Sequence, residues 1–384
     1  MLEIHEPDGA FERLEDWLRD QGFFAPGGES LVADLYLGYG LSSTIRRTIT
    51  PAPPEPCALP LVACVVRTDN YAATHDNGMW RHDGEHEPVD DGLEMGTWRR
   101  TWAPADHADA VRAVRDAIGR GDVYQVNLVQ HLSTPFAGSP SALAARLAPL
   151  TKPNELPFAD SDWRVLDGGS WAVVSATPEL LLARRGSRLW TRPIKGTRPR
   201  GRRAELLASA KDAAEHVMIV DLERNDLSRV CLPGSVRWPQ LMSAAPLAGV
   251  EHLVSTVEGE LRPGVGLAEI LAATFPGGSI TGAPKIAAVD LIAALEPVGR
   301  GASMGALGRV HGNGDVELAL TIRTFAIADG RLHLWVGGGV VWDSEPDEEV
   351  EESLTKAAPL LDVIGAPLGR ERGARVEHVG GRRR

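Results

Sequence analysis

The sequence predicts an α+β protein with large antiparallel sheets that helices cover on the outside. Strand-like segments occur in pairs joined by tight turns, at residues 171–194 around Arg-Gly-Ser and at residues 316–341 around Asp-Gly. Long helical segments separate these pairs. A doubly wound parallel sheet fits less well, because its neighbouring strands are joined by crossover helices rather than by tight turns.

The individual elements follow from the spacing of apolar residues, which is helical in some segments and strand-like in others. Helices are predicted at residues 11–18, 106–122, 203–229, 284–295 and, capped by Ser344, from there to about residue 363. Strands are predicted at residues 31–41, 59–67, 123–132, 171–184, 188–194, 316–328 and 331–341. A proline-rich connector occupies residues 50–56.

Composition limits the classes of partner. The 384-residue chain is 43% hydrophobic and 24% charged, and its net charge of −12 argues against nucleic acid and anionic membrane surfaces. The N-terminal residues lack a signal-peptide pattern, and no apolar run approaches the ~18 residues of a membrane span, so we expect a soluble cytoplasmic protein. The cysteines lack metal-binding spacing and are expected to be reduced structural thiols: Cys57, Cys64 and Cys231.

Three glutamates are candidate metal ligands. Glu349 and Glu352 are three residues apart on the last predicted helix and therefore project from neighbouring positions on one face. Glu215 lies on the long helix, just before the apolar run 217–220. A few carboxylates of this kind suit magnesium. The alternative is a solvated acidic first turn for the pair, favoured by the helix dipole, and an ordinary surface acid for Glu215.

A lysine and a glutamate are candidates for covalent and acid–base chemistry. Lys195 lies where an apolar strand meets a turn rich in glycine and proline, and a partly desolvated lysine can act as a nucleophile or bind an anion. The alternative is a solvated turn lysine. Glu179 lies on the first strand of the preceding predicted hairpin, and the hairpin turn allows the two residues to approach each other.

Several segments could bind an anion. The glycine-rich loop FPGGSITGAPK (275–285) offers backbone N–H groups, the hydroxyls of Ser279 and Thr281, and the cation of Lys285. It does not match the phosphate-binding loop, which disfavours ATP. Arg323 lies among alternating apolar residues and needs an anion, from the protein or from a ligand. The glycines at 337–339 could bind an anion or admit another backbone.

Together these segments carry a family resemblance. From about residue 110 to about residue 363 the chain resembles the chorismate-binding enzymes, which include anthranilate, aminodeoxychorismate, isochorismate and salicylate synthases. The matching stretches are VYQVNL (123–128), Pro178-Glu179, PIKGTRPRG (193–201), AEHVMIVDLERNDLSRV (214–230), HLVSTVEGEL (252–261), FPGGSITGAPK, ALTIRT (319–324) and GGGVVWDSEPDEEVEESLTKA (337–357).

The resemblance implies a fold and a domain organisation. The family fold has two large, mostly antiparallel sheets packed as a sandwich, with helices on the outer faces. Residues 106–365 would be the chorismate-binding catalytic core. Residues 1–105 match weakly and are expected to belong to the same sandwich. Residues 366–384 are predicted to be a basic, disordered tail.

The resemblance also implies roles for the candidate residues. Magnesium would be held by Glu215, Glu349 and Glu352 and would bind the ring carboxylate of chorismate. The implied substrate-binding residues are Arg323, Gly337, Gly338, Gly339, Thr281, Lys285, His252 and Gln125. A doubly anionic substrate would thus meet positive charge locally in an acidic protein.

Two positions distinguish members of the family. Relatives that add water carry a lysine base where this chain has Gln125, so isochorismate and salicylate synthesis are disfavoured. Lys195 resembles the lysine of aminodeoxychorismate synthases, where anthranilate synthases typically have alanine. The resemblance therefore implies amination of chorismate at C4, with Lys195 as nucleophile towards C2 and Glu179 as the acid that protonates the departing C4 hydroxyl.

The ammonia source and the departures from the family pattern complete these expectations. No stretch resembles a glutaminase domain, so a separate glutamine amidotransferase subunit is expected to supply ammonia. Ser303 stands where relatives have a tyrosine that contacts the substrate side chain, and the tryptophan-pocket motif of relatives is not evident. The alternatives are an anthranilate-type 2-amination and a catalytically silent chorismate-binding regulator.

Overall fold

The computed structural model describes residues 1–68, 92–151, 164–247 and 250–368. The predicted tail therefore lies outside the described residues from position 369 onward. None of the described helices is long and apolar enough to cross a membrane.

The helices and strands alternate along the chain. The helices are α1 (Ala10–Asp20), α2 (Pro104–Arg120), α3 (Pro140–Leu147), α4 (Arg203–Ala208), α5 (Ala210–Ser228), α6 (Leu267–Thr274), α7 (Lys285–Leu295) and α8 (Pro346–Val363). The strands are β1 (Leu2–Ile4), β2 (Leu31–Leu37), β3 (Val62–Thr68), β4 (Glu94–Met95), β5 (Arg99–Arg100), β6 (Gln125–Ala137), β7 (Val165–Asp167), β8 (Trp171–Ser175), β9 (Leu180–Arg185), β10 (Arg188–Arg192), β11 (Ile194–Pro199), β12 (Arg237–Leu247), β13 (Val250–Glu260), β14 (Gly282–Ala283), β15 (Ala306–His311), β16 (Val316–Leu320), β17 (Thr324–Ala328) and β18 (Arg331–Val340).

The strands form two large sheets. The ten-stranded sheet has the order β1-β3-β2-β15-β16-β9-β10-β13-β11, with β12 also paired to β13. The eight-stranded sheet has the order β14-β6-β18-β17-β8-β7, with β4 and β5 paired to β6. The described pairings are antiparallel, which confirms the predicted fold class. Helices pack on the sheets, with α8 against β18 and α5 against β13.

Two predicted strands are each divided between the two sheets. The segment predicted as one strand at 171–184 is β8 in the eight-stranded sheet and β9 in the ten-stranded sheet, and 316–328 is likewise β16 and β17. We refer to the linking residues 176–179 and 321–323 as the two crossovers. The second crossover leaves the extended conformation at Arg323, which has a positive φ of 50°.

Both predicted hairpins are present, with shorter strands than the sequence predicts. The β9–β10 turn lies at Gly186, and the β17–β18 turn places Asp329 and Gly330 at φ of 54° and 67°, as an Asp-Gly hairpin turn requires. Ser344 does not cap α8, because Glu345 is the N-cap residue and the Ser344 hydroxyl accepts a hydrogen bond from the Val341 N–H.

Other element boundaries also differ from the sequence expectation. The long helix predicted at 203–229 is interrupted at Ser209, whose hydroxyl caps α5 by accepting from the Asp212 N–H. The strand predicted at 31–41 ends at Leu37, and a 3₁₀ helix, Tyr39–Ile45, follows it.

Candidate functional site

The site is built where the two crossovers run side by side. Thr177 Oγ1 donates to the Leu320 carbonyl oxygen at 2.5 Å, and the Leu320 N–H donates to the Glu179 carbonyl at 2.9 Å. The Ala176 N–H donates to the Arg323 carbonyl at 3.0 Å. These hydrogen bonds bring Glu179, which directly precedes β9, close to Arg323, which directly precedes β17. The positive charge of Arg323 is accordingly one of the influences that lower the pKa of Glu179.

Lys195 and Glu179 act on each other electrostatically, and Glu179 is buried whereas Lys195 is partly buried. Burial lowers the pKa of Lys195, and the Glu179 charge opposes this. Burial raises the pKa of Glu179, and the charge of Lys195 and a hydrogen bond from the Ser279 side chain oppose this. Burial thus moves each pKa in the direction of the neutral group, and a neutral amine and a protonated carboxyl are the forms that act as nucleophile and general acid.

The Lys195 side chain is held by the glycine-rich loop. Its Nζ donates to the Ser279 carbonyl oxygen at 3.1 Å. On the other side, His252 Nδ1 lies 2.7 Å from the Gly196 carbonyl and donates to it. The turn predicted after Lys195 is instead part of strand β11, whose pairing with β13 is irregular between Lys195 and Arg198. Gly196 in this irregularity has φ 63°, and an added Cβ would meet Leu206 at 2.7 Å, so the position favours glycine. His252 is thus placed to position the backbone next to Lys195.

The three glycines of β18 meet three different groups. A Cβ at Gly337 would collide with the backbone carbonyl of Leu128 on the paired strand β6. A Cβ at Gly338 would lie among charged side chains, 3.3 Å from Glu349 Oε2. A Cβ at Gly339 would collide with the side-chain amide of Gln125. The first glycine therefore serves strand pairing, and the other two leave room at the site.

Gln125 and Asn127 add polar atoms to this region. Both residues are buried on β6, and neither Gln125 Oε1 nor Asn127 Oδ1 has a hydrogen-bond partner within the described part of the chain. Glu179 Oε1 is in the same condition. Buried polar atoms without partners are costly, which makes them candidates for contact with a ligand.

The three predicted metal ligands lie on two helices, and the two on α8 approach one point. Glu349 Oε2 and Glu352 Oε1 lie 3.3 and 3.6 Å from one point, the Cβ position above Gly338. Burial raises the pKa of Glu215 on α5, and Glu352 is among the charges that contribute to the increase. Within the described ranges no three histidine, cysteine or acidic side chains approach closely enough to hold a metal ion. The donor chemistry, carboxylate oxygens from two helices, fits a hard cation such as magnesium.

In the glycine-rich loop 275–285, the side chains of Thr281 and Lys285 bind other groups of the protein. The Thr281 hydroxyl donates to the Gly277 carbonyl at 2.9 Å inside the loop. Lys285 Nζ lies 2.5 Å from Asp226 Oδ2 and donates to the Thr274 carbonyl at 3.3 Å. The structure therefore brings Lys285 to an acid of α5, and substrate binding by Lys285 stays a prediction.

A buried ion pair that the sequence analysis does not predict supports the glycine-rich loop 275–285. The Arg300 guanidinium binds both carboxylate oxygens of Glu296, at 2.9 and 2.7 Å. It also donates to the carbonyls of Ile280 at 2.9 Å and Asn127 at 2.7 Å, joining the loop to β6. The signal was an i,i+4 acid–base pair at the end of the apolar helix α7. Nearby, Ser303 is fully buried, and its hydroxyl donates to the Thr321 carbonyl in the second crossover.

The cysteines do not contribute to this region. All three are buried free thiols. Burial raises the pKa of Cys57 to about 12 and that of Cys231 to about 11, so both are protonated and poorly nucleophilic at neutral pH.

The two antiparallel sheets, the two crossovers that connect them and the lysine–glutamate pair beside the crossovers define the class of protein. The comparisons with known proteins give the same class. Residues 64–362 match the chorismate binding enzyme family. The chain therefore belongs to this family. It is similar to anthranilate synthase component I from Streptococcus pneumoniae, with a TM-score of 0.72 and 26% identity, over 90% of this chain and 84% of that one.

Curated relatives fall into two groups. The chain is 39% identical over 285 residues to anthranilate synthase component 1 of Streptomyces coelicolor, covering 72% of this chain and 54% of that protein. It is 37% identical over 290 residues to aminodeoxychorismate synthase component 1 of Escherichia coli, covering 73% of this chain and 62% of that protein. The matched region thus spans between about half and two thirds of these relatives.

Proposed function

We propose that this chain aminates chorismate at C4 and forms 4-amino-4-deoxychorismate, an aminodeoxychorismate synthase reaction. The observation that carries the proposal is that Lys195 and Glu179 both contact Ser279, the lysine through the serine carbonyl oxygen at 3.1 Å and the glutamate through the serine hydroxyl. The alternative, a solvated turn lysine, is disfavoured because Lys195 lies in strand β11 and its Nζ is bonded to that carbonyl.

The proposed reaction has two displacements. The Lys195 amine attacks C2 of chorismate, the ring double bond shifts, and the C4 hydroxyl leaves as water with the proton of Glu179. The Glu179 carboxylate takes the proton that Lys195 then loses. Ammonia attacks C4, the ring double bond shifts back, and the lysine leaves C2 with that proton returned from Glu179. The Ser279 carbonyl holds the Lys195 Nζ, and His252 holds the backbone of the next residue, Gly196.

The remaining residues would bind and orient the substrate. Arg323, beside Glu179, is a cation for a substrate carboxylate, and Gln125 supplies an amide but no base that could activate water. Magnesium, when held by Glu215, Glu349 and Glu352, would neutralise the ring carboxylate. Ammonia would come from a separate glutamine amidotransferase subunit, in keeping with the component 1 names of the relatives.

An anthranilate-type 2-amination is the second candidate. Its support is that a relative named anthranilate synthase component 1 matches this chain at 39% identity, and one named aminodeoxychorismate synthase component 1 at 37%. Overall similarity therefore does not separate the two reactions, and Lys195 is the residue that favours amination at C4. A silent chorismate-binding regulator is the third reading.

The test is product analysis. The full chain is incubated with chorismate, magnesium and an ammonium salt at mildly alkaline pH, and products are separated and identified by mass. We expect aminodeoxychorismate, which an added lyase converts to 4-aminobenzoate. Anthranilate as the product would support the second candidate, and binding without turnover would support the third.

Two variants sharpen the experiment. Lys195→Ala should lose product formation by about 10²-fold or more, because the covalent route then has no nucleophile. Arg112→Ala, an exposed cation on α2 that pairs with Asp109, is the matched control and should retain activity. A Lys195→Ala chain that formed aminodeoxychorismate at the wild-type rate would contradict the covalent role.

A further inference from the structure

A lysine on α8, Lys356, lies close to the two acids Glu349 and Glu352. Lys356 lies one turn after Glu352, and its Nζ is 2.7 Å from Glu352 Oε1. The same ammonium donates to the Gly337 carbonyl oxygen at 3.1 Å. The Cβ position above Gly338 lies 3.2 Å from Lys356 Nζ and 3.3 Å from Glu349 Oε2. One cation and two carboxylates therefore surround a single point over β18.

The Lys356–Glu352 pair is a half-exposed i,i+4 pair, with side-chain exposures of 47% and 55%. Such a pair by itself contributes little to stability, because solvent screens its charges. Here the ammonium has a second acceptor on a different element, the Gly337 carbonyl of β18, which fixes its position relative to the acids. Because Gly338 has no side chain, the charged groups of Lys356, Glu349 and Glu352 can approach its backbone.

We propose that Lys356 is a built-in competitor of the divalent cation and thereby sets the metal affinity of this site. Its ammonium and a metal ion both bind Glu352 Oε1, and they cannot both lie close to that oxygen without strong repulsion. The same ammonium reduces the repulsion between Glu349 and Glu352 when no divalent cation neutralises them. Metal binding is thus an exchange of cations, in which Lys356 leaves Glu352. The inference rests on the magnesium role under the proposed function.

Other cations act on the same acids but differ in position. Lys211 on α5 and Lys195 on β11 are the other lysines whose charges act on Glu352. Among these lysines, the described contacts include a direct bond to Glu352 only for Lys356. The competition is therefore assigned to Lys356, and the other two lysines remain in place when Lys356 is replaced.

The test measures metal binding directly, with Mn²⁺ as the probe and the loss of its free-ion electron paramagnetic resonance signal as the readout. Lys356→Gln should bind Mn²⁺ about three- to tenfold more tightly than the wild-type chain, as expected for removing one partly solvated neighbouring charge. Lys356→Arg keeps the charge and should stay within about twofold of wild type. Arg112→Gln removes an equal charge elsewhere and should also stay within about twofold.

The outcomes separate this inference from the proposed function. Unchanged or weaker Mn²⁺ binding in Lys356→Gln would overturn the role of Lys356. Glu349→Gln should weaken Mn²⁺ binding by about tenfold or more, since it removes a ligand of a site with few carboxylates. If Glu349→Gln binds like wild type, the metal assignment itself fails, along with the inference. The amination proposal depends on product identity and is tested independently.

Thermal unfolding gives a second readout, which does not depend on the Mn²⁺ signal. In the presence of a chelator, Lys356→Gln should melt about one degree below the wild-type chain, because the charge of Lys356 no longer offsets the repulsion between Glu349 and Glu352. Excess Mg²⁺ should restore most of the difference and stabilise Lys356→Gln more than wild type. Equal Mg²⁺-induced stabilisation in both chains would contradict the competition.

Discussion

Lys195 Nζ donates a hydrogen bond to the backbone carbonyl oxygen of Ser279 at 3.1 Å, and the hydroxyl of the same serine bonds the Glu179 carboxyl. Ser279 therefore contacts both members of the buried pair, one through its backbone and the other through its side chain. The backbone contact survives substitution of the serine and the side-chain contact does not, which allows the two to be separated.

Ser279→Ala is expected to raise the pKa of Glu179 further, because the lost hydrogen bond favours the charged carboxylate. A general acid must be protonated, so activity falls as pH rises through its pKa. The alkaline limb of the pH–rate profile should therefore move to higher pH in Ser279→Ala, with a loss in kcat of about tenfold from poorer orientation of the acid. A profile with an unmoved alkaline limb would show that the Ser279 hydroxyl does not tune Glu179.

The glycines of β18 predict two separable effects. Gly337→Ala should reduce the free energy of unfolding by about 1–3 kcal/mol, because its Cβ collides with the Leu128 backbone. Gly339→Ala meets the movable amide of Gln125 instead, so it should unfold near the wild-type temperature but lose up to about 10²-fold in kcat/KM. Thermal melts and steady-state kinetics on both variants check this, and equal stability losses would refute the distinction.

The predicted fold class was accessible from sequence because it depends on local signals. Asp329-Gly330 specifies a hairpin turn whatever surrounds it, and the helices follow from apolar spacing. The crossovers were missed for the opposite reason. The apolar runs continue through Thr177 and Thr321, and only pairing with distant strands, together with the Thr177 bond to the Leu320 carbonyl, divides them between sheets.

The candidate site shows the same division between local and long-range information. Lys195 and Glu179 were singled out from their segments and their family resemblance, and the structure brings them together. Lys356 and the pair of Arg300 and Glu296 are not predicted, because the contacts that give them their roles are long-range ones, from Lys356 to the Gly337 carbonyl and from Arg300 to the carbonyls of Ile280 and Asn127. The direction of Lys285 towards Asp226 likewise depends on how α5 packs beside the loop.

Lys285 and Asp226 form a pair whose members should not be removed singly. Both side chains are nearly buried, at 11% and 7% exposure, so Lys285→Met leaves an uncompensated acid and should cost about 3–5 kcal/mol in unfolding free energy. The double variant Lys285→Met/Asp226→Leu should recover most of that loss. Urea unfolding of the single and double variants tests this, and a double variant no more stable than Lys285→Met would contradict the pairing.

The same double variant also tests the predicted substrate role of Lys285. If Lys285 only supports the loop, a stable double variant should keep its KM for chorismate within about threefold of wild type. A KM raised by about tenfold or more in a chain of restored stability would instead support contact between Lys285 and the substrate.

A buried histidine pair predicts how stability depends on pH. His131 Nε2 lies 3.0 Å from His333 Nδ1, and both rings are buried between β6 and β18. Burial lowers the pKa of His131 to about 3 and that of His333 to about 4. Because the unfolded chain takes up protons first, near the ordinary histidine pKa of about 6.5, stability is complete above that pH and is lost as pH falls towards 4.

The loss for one histidine between pH 7 and pH 5 is expected to be about 2 kcal/mol, which is about 1.4 kcal/mol per pH unit over the titrating range. His131→Leu should be less stable at pH 7, because the Thr101 hydroxyl and His333 lose a partner, yet its stability should fall less steeply to pH 5. His5→Leu, at an exposed histidine, should keep the wild-type slope. Urea unfolding at the two pH values measures the slopes, and equal slopes for His131→Leu and wild type would show that His131 is not held neutral by burial.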